Sequence, residues 1–205
     1  MAHDFEIMQD PVTNEEYCEF LMVYPECYCK LMETHFFGGI CRVEQGELIN
    51  FEPKSGFEKK PVVFVSWEDA QEYARWLGGR LPTVDEWKKA AAWMPERGRF
   101  AKWCTGRDEP PTQDEANFYD FENGWALPAP HLADVDWYKP SGAYGLRGMC
   151  GNVGEWCVRE GTVWQPALGG SLFRPIDFCR ADAGEADHPS KRLSTFGFRL
   201  VRDCR

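Results

Sequence analysis

The 205-residue chain lacks most of the usual carriers of chemistry. No apolar run approaches the roughly 20 residues that a membrane helix needs, so insertion into a bilayer is not expected. The opening MAHDFEIMQD is charged and holds no apolar stretch, so no leader is visible. The expectation is a cytoplasmic location by default, with display on a virus or cell surface as the alternative. Lys and Arg never gather beyond pairs such as Lys88-Lys89, and the net charge is −10. Nucleic acid is repelled on average by such a chain and is not an expected partner. The four histidines, His3, His35, His131 and His188, are far apart in sequence, so no helix turn offers two imidazoles to a metal. A CxxC pair, a GxSxG elbow and a phosphate-cradling glycine loop are all missing.

Apolar, aromatic and turn-forming residues are plentiful. The hydrophobic fraction is 43%, with nine Trp, which is ample for a core. Gly and Pro number 19 and 14, which implies many turns. The nine Cys are read as mostly free, buried thiols, with metal-bound cysteine the weaker reading. No repeat, linker or low-complexity tract divides the chain, so it is read as one domain over residues 1–205, monomeric by default.

Three helices are announced by capping boxes, in which a Ser or Thr accepts a free backbone N–H and an acid three residues on returns the bond. They start at Thr13 before NEEYCEFLMVY, at Ser66 before WEDAQEYARWL and at Thr83 before VDEWKKAAAWM. In the first, Tyr17, Phe20 and Leu21 share a face; in the third, Trp87, Ala90 and Ala91 do. The second stops at Gly78-Gly79. PVVFVSW and FGFRLVRD read as short strands. Residues 27–60 and 95–145 have little period and read as ordered loop, because they are rich in aromatics.

Two stretches are candidates for function. In MCGNVGEWC, residues 149–157, Asn152 and Glu155 are oxygen donors of the kind calcium uses. On spacing alone the preferred reading is a tight Gly-Asn turn feeding a strand with Trp156 in the core. In GGSLFRPIDFCRADAG, residues 169–184, Cys179 is either a nucleophile with Arg174 and Arg180 nearby or a small core residue, and the second reading is favoured.

PVTNEEYCEF, PVVFVSWEDAQEYARWLGGRLPTVDEWKKAA, YGLRGMCGNVGEW, LGGS and FGFRLVRD occur in this order across almost the whole chain. Together they resemble the formylglycine-generating-enzyme-like, or sulfatase-modifying-factor, family. The resemblance implies an α+β fold of the C-type lectin type, with few helices, short strands and extensive ordered loops. Enzymes of the family oxidise a sulfatase cysteine with two copper-binding cysteines, one three residues after the GGS serine and one five further on. The first position is Arg174 here, a permanent cation and no metal ligand, and the second is Cys179. The chain is therefore expected not to be that enzyme, with oxidation of a protein cysteine through Cys179, or a relative whose site has decayed, as the alternative. The family's calcium positions map onto Gly151, Val153 and Glu155, but Gly148 stands where an asparagine side chain is needed.

The chain is most like another branch, the variable proteins of diversity-generating retroelements. These carry GGS, changeable positions, a fixed Cys-Arg, more changeable positions and GFRL. The same order is present as Gly169-Gly170-Ser171, Cys179-Arg180 and Gly197-Phe198-Arg199-Leu200. The resemblance implies a variable region at 172–195 that binds a protein or cell-surface ligand. Its contact residues would be Phe173, Arg174, Pro175, Asp177, Phe178, Asp182, Gly184, Ala186, His188, Arg192, Leu193 and Ser194. Adenine mutagenesis of Asn codons, as in that branch, never produces Glu, Lys, Gln, Met or Trp. These five types supply 49 of the 205 residues. None occurs in 172–184, where that composition gives about three, and only Glu185 and Lys191 occur in 172–195, where it gives about six.

Overall fold

The computed structural model describes residues 4–125 and 131–204. All three capping boxes form, with both halves of each bond pair present. Helix α1 (Asn14–Leu21) is capped by Thr13 and buries Tyr17, Phe20 and Leu21. Helix α2 (Leu31–Thr34) is a single turn. Helix α3 (Trp67–Trp76) is capped by Ser66 and ends before Gly78, whose φ of 71° suits only glycine comfortably. Helix α4 (Val84–Ala92) is capped by Thr83 and buries Trp87, Ala90 and Ala91.

The strands are short. β1 (Phe5–Ile7) pairs antiparallel with β12 (Val201–Asp203), so the two ends of the described chain meet. β2 (Ile40–Gln45) and β3 (Leu48–Pro53) make a hairpin inside the stretch read as loop. Its alternation is blurred, because only Ile40 and Phe51 reach the core. β4 (Trp93–Met94) pairs with β5 (Arg99–Phe100), and β6 (Tyr119–Asp120) with β7 (Gly124–Trp125). The largest sheet has β8 (Gly154–Trp156), β9 (Gln165–Leu168), β10 (Glu185–Asp187) and β11 (Phe196–Gly197) in the order β10-β9-β8-β11.

Two strand expectations need correction. Val62 to Val65 are buried as expected, yet PVVFVSW is not a strand. The N–H of Val62 bonds to Val12 while that of Phe64 bonds to Leu193, and Phe64 has φ of 61°, so no single partner can form a ladder. FGFRLVRD divides into β11 and β12, which lie in different sheets. Phe198, Arg199 and Leu200 cross between them through the core.

The core has two apolar clusters. One gathers α1, α3 and the aromatics Tyr17, Tyr73, Trp156 and Phe198. The other gathers α4, Trp103, Met149 and the thiols Cys104, Cys150, Cys157 and Cys179. Glu155 and Arg199, both fully buried, form an ion pair. Arg199 Nε and Nη2 donate to the two Glu155 oxygens at 2.7 Å, and the other three N–H groups go to the carbonyls of Met8, Gln9 and Arg147. Trp87 Nε1 donates to Glu155 as well. This network ties β8, α4 and both chain ends into one scaffold.

Candidate functional site: a loop held at two buried points

The chain leaves β9 through Gly169 and Gly170, with φ of 96° and 74°. A Cβ on Gly170 would sit 3.1 Å from the backbone of Phe178, so glycine lets the two segments touch. Leu172 is wholly buried and Cys179 almost so. Between these two points the chain makes one short 3₁₀ turn, Ile176–Cys179. The Cys179 carbonyl accepts from the Cys104 N–H at 3.0 Å, and the Ala181 N–H donates to Lys102. The segment is thus pinned at each end and arches outward between.

On the arch, Phe173 is 41% exposed, with its edge against Phe37 at 5.4 Å. Arg174 lies over the Phe178 ring at 5.2 Å and pairs with Glu185. Asp177 is exposed, while Pro175 and Phe178 are half-buried. Arg180 grips Asp182 with two bonds of 2.8 and 2.7 Å. A shallow hollow of about 470 Å³ opens between Asp177, Phe178, Arg180, Asp182 and Ala183. Ala186 and His188 are exposed further along, and the His188 ring stands edge-on to Trp164.

Several expected contact residues lie elsewhere. Arg192 donates to Asp69 and to the Cys27 carbonyl, each at 2.8 Å, so its guanidinium braces the cap of α3 and is not free for a ligand. Leu193 packs on the first core cluster, and Ser194 is half-buried beside it. Gly184 is exposed, but a Cβ there would meet the tip of the Leu168 side chain at 2.5 Å, so a larger residue requires that leucine to shift. The exposed part of the expected face therefore lies within residues 173–188.

The calcium candidates do not fit a cation either. Both Glu155 oxygens are taken by Arg199 and Trp87. Gly151 and Asn152 form the tight turn, with φ of 70° and 63°. Asn152 spends its amide on Asn117 and Ala133. The two positions that hold copper in the resembling enzymes fare no better. One is the guanidinium of Arg174, turned to Glu185 on the surface, and the other is Cys179 in the core.

Sequence reasoning missed two groups of neighbours. Cys104 and Cys150 come to Cys179, far apart in sequence though they are. Burial pushes the Cys150 thiol well above its ordinary range, and the adjacent Cys179 and Cys104 thiols add to the effect. On the outside, Phe36, His131, Tyr119, Phe121 and Trp125 border the arch. Phe36 touches both Phe37 and His131, and the Tyr119 N–H donates to the Arg174 carbonyl at 3.0 Å. The signal was aromatic residues inside period-free segments, where a helix or strand does not call for them.

An irregular α+β scaffold with a pinned, outward arch after a Gly-Gly-Ser defines the class, and the family comparison agrees with it. The chain belongs to the sulfatase-modifying factor enzyme 1-like domain family, which matches residues 1–204. It is 32% identical over 229 residues to the serine/threonine-protein kinase pkn1 of Chlamydia pneumoniae, covering 99% of this chain and 33% of that protein. It is 39% identical over 190 residues to the formylglycine-generating enzyme of Streptomyces coelicolor, covering 73% of this chain and 55% of that one. The chain thus spans a third to about half the length of these relatives. The solved Treponema denticola variable protein 1 superposes with a TM-score of 0.67 at 21% identity, over 98% of this chain and 84% of that one. That likeness establishes the shared C-type lectin-like fold. The family holds enzymes.

Proposed function

We propose that the chain is a ligand-binding protein, of the diversity-generating retroelement variable type, in which the arch after Ser171 presents changeable residues on a fixed scaffold. One observation carries this reading. Leu172 and Cys179 hold the arch from inside, so Phe173, Arg174 and Asp177 can change without disturbing what holds it. Fixed scaffold and free loop is how recognition surfaces are generally built. Arg174 supports it further, because a surface cation stands where a thiolate oxidase needs sulfur.

The decisive experiment is sequencing of the DNA that flanks the gene. The expected result is a reverse transcriptase and a near-copy of the 3′ coding end that differs mainly at adenines; their absence overturns the retroelement assignment. Independently, joint replacement of Phe173, Arg174, Asp177, Asp182, Ala186 and His188 is expected to move the unfolding midpoint by no more than about 4 °C. A collapse of folding in that variant shows that the residues serve the scaffold.

A second reading, oxidation of a substrate cysteine at Cys179, has one point in its favour: Cys179 has thiol neighbours. Its test is turnover of a CxPxR peptide by the purified protein, lost in Cys179→Ser. The binding reading expects no turnover.

A further inference from the structure

The arch does not stand alone on its face. Phe37 supports Phe173 and carries Phe36, which is 58% exposed and lies tilted against the His131 ring at 5.3 Å. On the other side, Tyr119 forms a parallel bridge with Pro175. Its ring contacts Phe121 and Trp125, each at 5.5 Å. Phe121 is 80% exposed and Trp125 41%. A folded domain seldom leaves such large rings in water in one place unless something covers them. None of these rings belongs to residues 172–195, so the chain keeps them whatever the arch carries.

Charge on this side of the face has one dominant sign. Asp120 and Glu122 flank the exposed Phe121 in sequence, Glu185 pairs with Arg174, and Asp177 shares a hollow with Arg180. Asp120 is held below the usual carboxylate range, first by the Asn123 N–H and then by that of Glu122, so it is ionised at neutral pH. Glu185 is of a type that adenine mutagenesis does not produce, so it persists when position 174 changes. The net charge of −10 extends the same field over the whole chain. Arg180 at the end of the arch continues into a neighbouring hollow of about 370 Å³, where Lys88 and Lys102 join it with Asp85 and Asp182, so the basic residues lie on the side away from Phe121 and Trp125.

From these placements we infer that the two aromatic groups, Phe36 with His131 and Tyr119 with Phe121 and Trp125, form a fixed collar around the arch. The collar receives a polypeptide segment that carries Lys or Arg beside apolar residues. Rings supply apolar area and faces for cation–π contact, and the carboxylates take the same cation's charge. The inference rests on the binding reading above and adds a division of labour: the collar supplies affinity for a basic segment, and the arch selects among such segments.

The test uses the full chain and labelled synthetic peptides of about 12 residues, alike in apolar content but basic, neutral or acidic, read by fluorescence anisotropy. A set of labelled oligosaccharides is the comparison arm. The basic pool is expected to bind at least about tenfold tighter than the acidic pool and to weaken with salt. Phe121→Ala combined with Trp125→Ala is expected to weaken binding about tenfold or more at an unchanged unfolding midpoint. Phe121→Ala alone serves if the double variant unfolds, since so exposed a ring holds little of the fold. Equal binding of all pools, response to oligosaccharides only, no response at all, or unchanged affinity in the collar variant overturns the proposal. Failure of the two readings is distinguishable. If Phe173→Ala with Arg174→Ala changes peptide preference while the collar variant has no effect, the arch binds and the collar does not. If only the collar variant has an effect, the collar stands and the display reading falls.

Discussion

Two Glu–Arg pairs of identical chemistry sit at very different depths in this molecule. Glu155 and Arg199 are entirely buried, and every guanidinium N–H has an acceptor. Glu185 and Arg174 meet at the surface, where the Arg174 side chain is 48% exposed and leans on one ring while the Glu185 side chain keeps 17%. The first pair is locked by four bonds to its surroundings, from Trp87 and to the carbonyls of Met8, Gln9 and Arg147; the second has the Phe178 ring and one ion contact. A buried pair leaves a bare charge in an apolar medium when one partner is lost, whereas an exposed one only exchanges a partner for solvent. The same two residue types thus mark which part of the fold is frame and which part is free to change.

The sharpest way to break this contrast is Glu155→Gln, which keeps the shape and removes the charge. Arg199 then stays buried with its carbonyl acceptors but no counter-ion. The expected cost is about 3–5 kcal/mol in urea unfolding. A loss under about 1 kcal/mol puts the buried pair on the footing of a surface pair and dissolves the distinction.

Arg192 lies between the extremes. It was expected among the ligand contacts, yet it bonds to Asp69, an almost buried acid that also caps Ser66. Arg192→Ala is expected to cost about 1.5–3 kcal/mol, as for hydrogen bonds to charged groups, and to leave ligand preference unchanged. The reverse outcome, an unchanged midpoint with altered binding, returns Arg192 to the recognition face.

What the sequence revealed divides along the same line. Capping boxes are local chemistry, and all three helices start where Thr13, Ser66 and Thr83 stand. The Gly-Gly-Ser, Cys-Arg and Gly-Phe-Arg-Leu order was equally legible, and so were the exposed Phe173, Arg174 and Asp177. Contacts between distant segments were not. Nothing near Arg192 announces Asp69, 123 residues away. Nothing near Glu155 announces Arg199, which turns a calcium candidate into a core acid. Spacing reports periodicity along one element, while these roles are set by which elements cross. The β2–β3 hairpin escaped for a related reason, since too few of its residues face the core to leave an alternating pattern.

Acid titration probes the middle of the scale without a ligand. The guanidinium of Arg107, then the Thr112 N–H, hold Glu115 down to about 2, although the pair is largely open to water. A carboxylate depressed in the folded state adds stability above its unfolded value, near 4.3, and loses it as pH falls toward the folded value. Solvent screening limits the effect to about 0.2–1 kcal/mol. Glu115→Gln is expected to flatten the pH dependence between about pH 4.5 and 2 by that amount, with no change at neutral pH in how the dependence slopes. An unaltered acid limb means that this pair holds nothing, and that the frame depends on buried partners alone.

The smallest expected effect bears most directly on function. Arg174→Ala removes the exposed pair, frees Glu185 and uncovers part of Phe178, and still touches neither Leu172 nor Cys179, which hold the arch. Its cost in unfolding free energy is expected below about 1 kcal/mol, several times less than that of Glu155→Gln. Yet Glu185, no longer neutralised, makes the face more acidic, so affinity for a basic peptide is expected to rise while the preferred sequence changes. Stability and recognition then separate at one residue, as they must if the arch varies over a constant frame. A variant that binds as before but unfolds several kcal/mol more readily shows the opposite: that Arg174 belongs with Arg199, as part of what keeps the domain folded.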